Sequence, residues 1–152
     1  QSIVRFSITL LLFAGLFFTP FADRRGIGVM NDNSMLRWIG LACFGMGTAL
    51  VFWSGVALGK LYSAEVTIQE DHYLVTSGPY HLIRHPRYSG GLLYVFGFAL
   101  LFRSWIGIIG VVLVIGVFLL RIKDEEALMH EEFGLEWENY CLHSWKLIPF
   151  IY

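Results

Sequence analysis

Residues 38–58, WIGLACFGMGTALVFWSGVAL, run for 21 residues without a formal charge. At a rise of about 1.5 Å per residue, a helix of that length covers roughly 32 Å, the thickness of a bilayer's hydrocarbon core. The stretch therefore reads as a transmembrane helix, and it sets lipid as the solvent against which the rest of the chain is read. Gly40, Gly45, Gly47 and the pair Gly55-x-x-x-Gly59 fall within or next to it. Small residues let helix backbones approach where van der Waals packing drives association in lipid, so helix packing is preferred over ligand contact for these glycines.

Composition agrees. The chain has 152 residues, of which 56% are hydrophobic and 15% charged, an apolar share above and a charged share below those of soluble domains. Its net charge of -1, from 11 Lys plus Arg against 12 Asp plus Glu, gives no basic footprint for a phosphate backbone, which excludes nucleic acid as a partner. Cys43 and Cys141 have neither metal-knuckle nor disulfide-framework spacing and read as packing residues. The chain begins with Gln1, which leaves room for further helices upstream and makes any helix count a minimum.

Working outward, residues 6–21 (FSITLLLFAGLFFTPF) are uncharged and cover about 24 Å, a thin span bounded by Arg5 and by Asp23-Arg24-Arg25. A secretory signal peptide is the rival reading; no A-x-A-like site follows and more hydrophobic segments do. Residues 26–34 have turn composition. Residues 60–83 mix alternating polar and apolar positions with charges and a Gly-Pro turn, which predicts a strand-like or extended segment at the water interface. Two apolar runs, 88–102 and 105–120, are separated only by Arg103-Ser104 and predict a tight antiparallel hairpin. Each is short for a span; snorkelling of Arg103 and local thinning favour spanning over a hairpin that stops partway. Tyr94, Phe98 and Trp105 are expected to face lipid rather than line a tunnel. Beyond Leu120, the spacing of Glu126, Met129, Phe133, Trp137 and Tyr140 follows one helical face and predicts an amphipathic continuation of the last span.

The expected architecture is thus an all-α membrane protein: a single membrane domain over residues 1–152, with about four transmembrane helices, an extended cytosolic segment and a C-terminal amphipathic helix. Arg5, Lys60, Arg84, Arg87, Arg121, Lys123 and Lys146 then lie on one side, and Arg24, Arg25, Arg37 and Arg103 on the other. The basic excess makes the first side, with both termini, cytoplasmic.

This topology brings two polar clusters, 78–88 (GPYHLIRHPRY) and 121–140, to one membrane face, where a single shared site is the economical reading. Pro86 suits the first turn of a helix, and the residue before a proline is pushed toward extended backbone. Arg84 and His85 are then held at a positive helix terminus, which suits a carboxylate or phosphate; pairing of Arg84 and Arg87 with lipid headgroups explains the same residues equally well. His81 and His85 lack a third ligand at fitting spacing, and no metal site is expected. Glu125 and Glu126 point about 100° apart on a helix, so at most one faces inward, and Glu126 shares the face of Met129 and Phe133. An inward carboxylate near the membrane is a functional candidate; the alternative is a structural ion pair, and Arg121 stands at i, i+4 to Glu125.

Taken together, GPYHLIRHPRYSG at 78–90, Arg121 with Glu125-Glu126 and Leu128, Phe133-Gly134, Tyr140 and Ile148-Pro149 resemble the isoprenylcysteine carboxyl methyltransferase and phospholipid methyltransferase superfamily. The resemblance runs from about residue 74 to 149. It implies a helical membrane enzyme that binds S-adenosylmethionine in cytosolic segments 74–88 and 121–149 and methylates a lipophilic small-molecule or prenylated acceptor reached from the membrane lipid. By position it assigns cofactor contacts to Tyr80, His85, Pro86, Tyr88, Glu125 and Glu126, and catalytic roles to Arg84, His85 and Glu126. Trp145-Lys146 departs from the family, which has Arg shortly before the final Ile-Pro, and this leaves the acceptor open between an isoprenylcysteine-type carboxylate and a lipid amine. Two other readings remain: a nicotinamide-dependent membrane reductase of the steroid-reductase kind, whose C-terminal helices are similar, and a non-catalytic helical membrane protein whose Gly-rich faces serve assembly.

Overall fold

The computed structural model describes residues 18–31, 33–59 and 74–152. Most of the expected span 6–21 and residues 60–73 of the expected extended segment lie outside them. Residues 18–25 are helical. The longer helices are α1 (Ser34–Leu58), α2 (Pro86–Leu101), α3 (Trp105–Phe133) and α4 (Leu135–Leu142), with a 3-10 turn at Gly78–His81. Among the described residues there is no sheet, only isolated bridges. α1 and α3 are each long and apolar enough to cross a membrane. α2, with 16 residues, covers about 24 Å.

Several expectations are revised. The segment expected to be extended carries the 3-10 turn at Gly78–His81, where Gly78 takes a φ of +61° and Pro79 fixes the next φ. The helical face drawn through Tyr140 is interrupted: α3 ends at Phe133, and Gly134, at φ +48°, redirects the chain into α4, a left-handed conformation that costs glycine little.

The described residues form two compact units, one within 1–47 and 92–116 and the other within 48–91 and 117–152. In the first, α1 crosses α2 in backbone contact. A Cβ on Gly40 would collide with the backbone of Gly97 and Leu101, and one on Gly97 with that of Gly40, Cys43 and Phe44. Close approach of this kind replaces the hydrophobic driving force that helices lack in lipid. By contrast, a Cβ on Gly45, Gly55 or Gly59 would meet nothing within 4 Å, so Gly55-x-x-x-Gly59 packs no neighbour among the described residues. Phe44 stacks on Tyr94 at 4.6 Å and lies 6.1 Å from Phe98, so these two rings pack within the unit while Trp105 is exposed.

The α2–α3 hairpin turns through Arg103, a non-glycine residue at φ +48°. The turn is over-determined, as strained backbone requires. Asp23 accepts from Arg103 Nη2 at 2.7 Å and Nε at 3.0 Å, and pairs with Arg37 at 3.3 Å. The Arg103 carbonyl accepts from Met30 N–H at 2.7 Å, and Trp105 N–H donates to the Gly28 carbonyl at 3.0 Å. Fully buried Ser104 accepts from Gly107 N–H at 3.0 Å, capping the first turn of α3.

Trp38, Phe52, Val112 and Leu120 stand exposed on the two long helices, an apolar exterior suited to hydrocarbon rather than water. The Gly40–Gly97 crossing yields a direct test. Gly97→Val is expected to cost about 1–3 kcal/mol or to prevent folding, because overpacking must separate two backbones, whereas Gly45→Ala, with open space at its Cβ, should melt at or above the native temperature. Equal melting of the two variants in detergent would rule out this crossing.

Candidate functional site

In the second unit, the backbone of residues 82–85 is tied to the C-terminal segment. Ile83 pairs with Trp145 as a parallel bridge. Arg84 N–H donates to the Trp145 carbonyl at 2.7 Å, His85 N–H to the Lys146 carbonyl at 3.2 Å, and Trp145 N–H to the Leu82 carbonyl at 2.9 Å. Pro86, itself buried, opens α2 as the sequence predicts. Its missing N–H costs nothing there, and the ladder ends where the helix begins.

The ladder aims Arg84 and His85 at the carboxylates of α3. Arg84 Nη1 donates to the carbonyls of Cys141 at 3.0 Å and Ser144 at 2.5 Å, and Nε reaches Glu126 at 3.4 Å. The guanidinium therefore caps the end of α4 and fixes Glu126, a more structural placement than an open anion site. The imidazole of His85 is buried between the two glutamates, with Nε2 3.2 Å from Glu126 Oε1 and Nδ1 3.8 Å from Glu125 Oε2.

One turn into α2, the Tyr88 hydroxyl donates to Glu125 Oε1, which also accepts from Arg121 Nε at 3.2 Å. Both glutamates are thus part-buried, and each meets a residue of the RHPxY stretch. The expectation that only Glu126 turns inward is corrected for a physical reason: side chains 100° apart on α3 can both reach α2 when the facing residues, His85 and Tyr88, are themselves three positions apart.

Tyr80 is placed differently. It is buried, and its carbonyl accepts from the Tyr140 hydroxyl at 2.6 Å, which ties the Gly-Pro-Tyr turn to α4. Burial pushes the Tyr140 phenol up to about 12, which keeps it a donor near neutral pH.

Lys146, in the sequence one of the basic residues of the cytoplasmic side and part of the departure from the family pattern, completes the cluster. Its Nζ lies 2.7 Å from Glu126 Oε2, and that hydrogen bond holds the ammonium above its ordinary range. The aromatic ring of Tyr152 sits 5.3 Å from the same Nζ. A recess of about 320 Å³ opens here, lined by Leu119, Ile122, Lys123, Glu126, Lys146 and Tyr152. No sequence spacing links 122–126 to 146 and 152; the tail must fold back for them to meet. Among the described residues no cluster suits a metal ion.

The family model for phospholipid methyltransferase matches residues 35–136. The chain belongs to this family. More broadly, it is a member of the isoprenylcysteine carboxyl methyltransferase and phospholipid methyltransferase superfamily. A probable protein-S-isoprenylcysteine O-methyltransferase of Oryza sativa subsp. indica is 30% identical over 125 residues, covering 80% of this chain and 65% of the relative. Protein-S-isoprenylcysteine O-methyltransferase B of Arabidopsis thaliana is 30% identical over 120 residues, covering 75% and 61%. The solved eukaryotic intramembrane Ras methyltransferase, isoprenylcysteine carboxyl methyltransferase, superposes with a TM-score of 0.72 at 26% identity, over 99% of this chain and 52% of that one. The chain therefore spans between half and two thirds of the length of these relatives. With its two apolar helices and this intramembrane neighbour, it is an integral membrane protein.

The Tyr140–Tyr80 link within this family member can be measured. Tyr140→Phe leaves a buried carbonyl without its donor and should cost about 1 kcal/mol in detergent unfolding at neutral pH. Because the folded phenol titrates above the unfolded one, its contribution is complete below about pH 10 and is lost as pH rises toward 12. The stability difference between native chain and variant should therefore shrink over that window; a constant difference would overturn the assignment.

Proposed function

We propose that this chain carries the cofactor end of an S-adenosylmethionine-dependent methyltransferase acting on a lipophilic acceptor of the isoprenylcysteine-carboxylate type at the cytosolic membrane face. The observation that carries the reading is the convergence of His85 and Tyr88 on Glu125 and Glu126 at the polar end of α3's apolar run. The names of the relatives support the reaction class and favour a prenylated acceptor over a lipid amine.

The residues present fit S-adenosylmethionine. Glu125 Oε1 is occupied by Tyr88 and Arg121, while Oε2 has only a 3.8 Å approach from His85, so it keeps acceptor capacity for a hydroxyl or ammonium. Tyr88, His85 and Pro86 would line the same ligand with aromatic and apolar surface, and Tyr80 would support it from behind through the α4 link. When bound, the cofactor supplies an electrophilic methyl group on a positively charged sulfur.

What the protein adds is alignment and exclusion of water. A carboxylate acceptor needs no proton removed, so no strong base is required; an amine would need one, and His85 or Glu126 would then have to serve. Arg84 acts by holding Glu126 and the end of α4. The orientation consistent with this chemistry has four spans, both termini cytosolic, Arg84, Arg87, Arg121, Lys123 and Lys146 on the cytosolic side and Arg103 on the other.

The test is calorimetric binding of S-adenosylmethionine and S-adenosylhomocysteine to the detergent-purified chain, beside NADPH. Binding in the micromolar range is expected, weakened at least about tenfold by Glu126→Ala or His85→Ala in protein that still elutes as a folded species. NADPH binding in place of the adenosyl ligands would assign the chain to the reductase kind, and no binding by folded protein would favour a non-catalytic role.

A further inference from the structure

We infer that the recess between α3 and the folded-back tail seats the acceptor's carboxylate, and that Lys123 is the residue that selects an anionic head over an amine. The inference rests on the methyl-transfer reading for the identity of the acceptor, but the selectivity follows from the recess itself.

Along α3 the recess wall runs through Leu119, Ile122, Lys123 and Glu126, positions one turn apart on a single helical face. That wall is apolar at one end and charged at the other, the polarity of an amphiphile. A volume of about 320 Å³ lies at the lower end of ligand-pocket size; it admits a polar head and leaves a long hydrocarbon outside.

The charges decide the sign of the head. Glu126, the carboxylate in this lining, has Oε2 on Lys146 at 2.7 Å and Oε1 near Arg84 and His85 at 3.4 and 3.2 Å, so its charge is spent inside the protein. Lys146 is itself committed to Glu126 and to the ring of Tyr152. Lys123, exposed and on the same helical face, is the ammonium turned to an occupant. With Glu126 and Lys146 offsetting each other, a protonated amine entering here would meet the Lys123 ammonium, a like-charge arrangement that discriminates by repulsion, while a carboxylate gains from it.

Lys123 is thus a specificity-determining residue legible only with the tail in place. A phospholipid phosphate shares the anionic chemistry, and the experiment separates it from the acceptor.

The full chain in neutral detergent is titrated with N-acetyl-S-farnesylcysteine, with its carboxamide, and with S-farnesylcysteamine, following tryptophan fluorescence; initial rates with S-adenosylmethionine are measured in parallel. The native chain should bind the carboxylate at least about tenfold more tightly than the amide or amine. Lys123→Glu should abolish that preference without changing the affinity for the amide or for S-adenosylmethionine, and Lys123→Arg should restore it to within about threefold. A preference that survives Lys123→Glu, or equal weakening of carboxylate and amide, would overturn the inference, as would displacement of the farnesylcysteine by equimolar phosphatidic acid in the native chain. Failure to bind S-adenosylmethionine with the carboxylate preference intact would sink the proposed function and leave the recess assignment standing; binding of S-adenosylmethionine and methylation of the farnesylcysteine with no carboxylate preference in the recess would overturn the recess assignment and leave the proposed function standing.

Discussion

Glu126 is the point on which the second unit closes. Its carboxylate is approached by Arg84 and His85 from the start of α2 and by Lys146 from the tail, so three segments distant in sequence share one charge. A part-buried carboxylate is expensive without partners, and each partner would be costly without the carboxylate. The arrangement therefore holds together or fails together. It also explains the backbone ladder between 82–85 and 145–146: once Arg84 and Lys146 are drawn to the same oxygen pair, the chain on either side runs in parallel.

The first unit meets the same requirement with other residues. Asp23 is shared by Arg37 and Arg103, which lets the α2–α3 turn carry a non-glycine residue in the left-handed region. Nearby, α1 and α2 touch backbone to backbone at Gly40 and Gly97. In lipid, charge pairs at helix ends and close packing through glycine are the interactions left when burial of apolar surface gives no preference for protein over solvent.

Within the site the two glutamates, adjacent in sequence, are given different surroundings. Glu126 is saturated by cations and reads as a structural anchor that also borders the recess. Glu125 is held by a phenol and one guanidinium and keeps acceptor capacity on its second oxygen. Such a division suits a reaction in which the protein mainly positions reactants, since one carboxylate fixes the scaffold and its neighbour can meet a ligand.

Legible in the sequence were the lipid solvent, the starts of the apolar helices to within four residues (38, 88 and 105 against Ser34, Pro86 and Trp105), the tight hairpin, Pro86 at a helix start, and the Arg121–Glu125 pair. These follow from local physics: uninterrupted apolar length, a fixed proline φ, and i, i+4 reach. The family motifs further marked His85, Tyr88, Glu125 and Glu126 as belonging together. Tertiary structure alone decided which glycines pack, that α3 breaks at Gly134, that Asp23 clasps Arg103, and that Lys146 and Tyr152 return to Glu126. Each of those depends on two segments tens of residues apart meeting at side-chain distance, and helical periodicity carries no record of where a chain turns back.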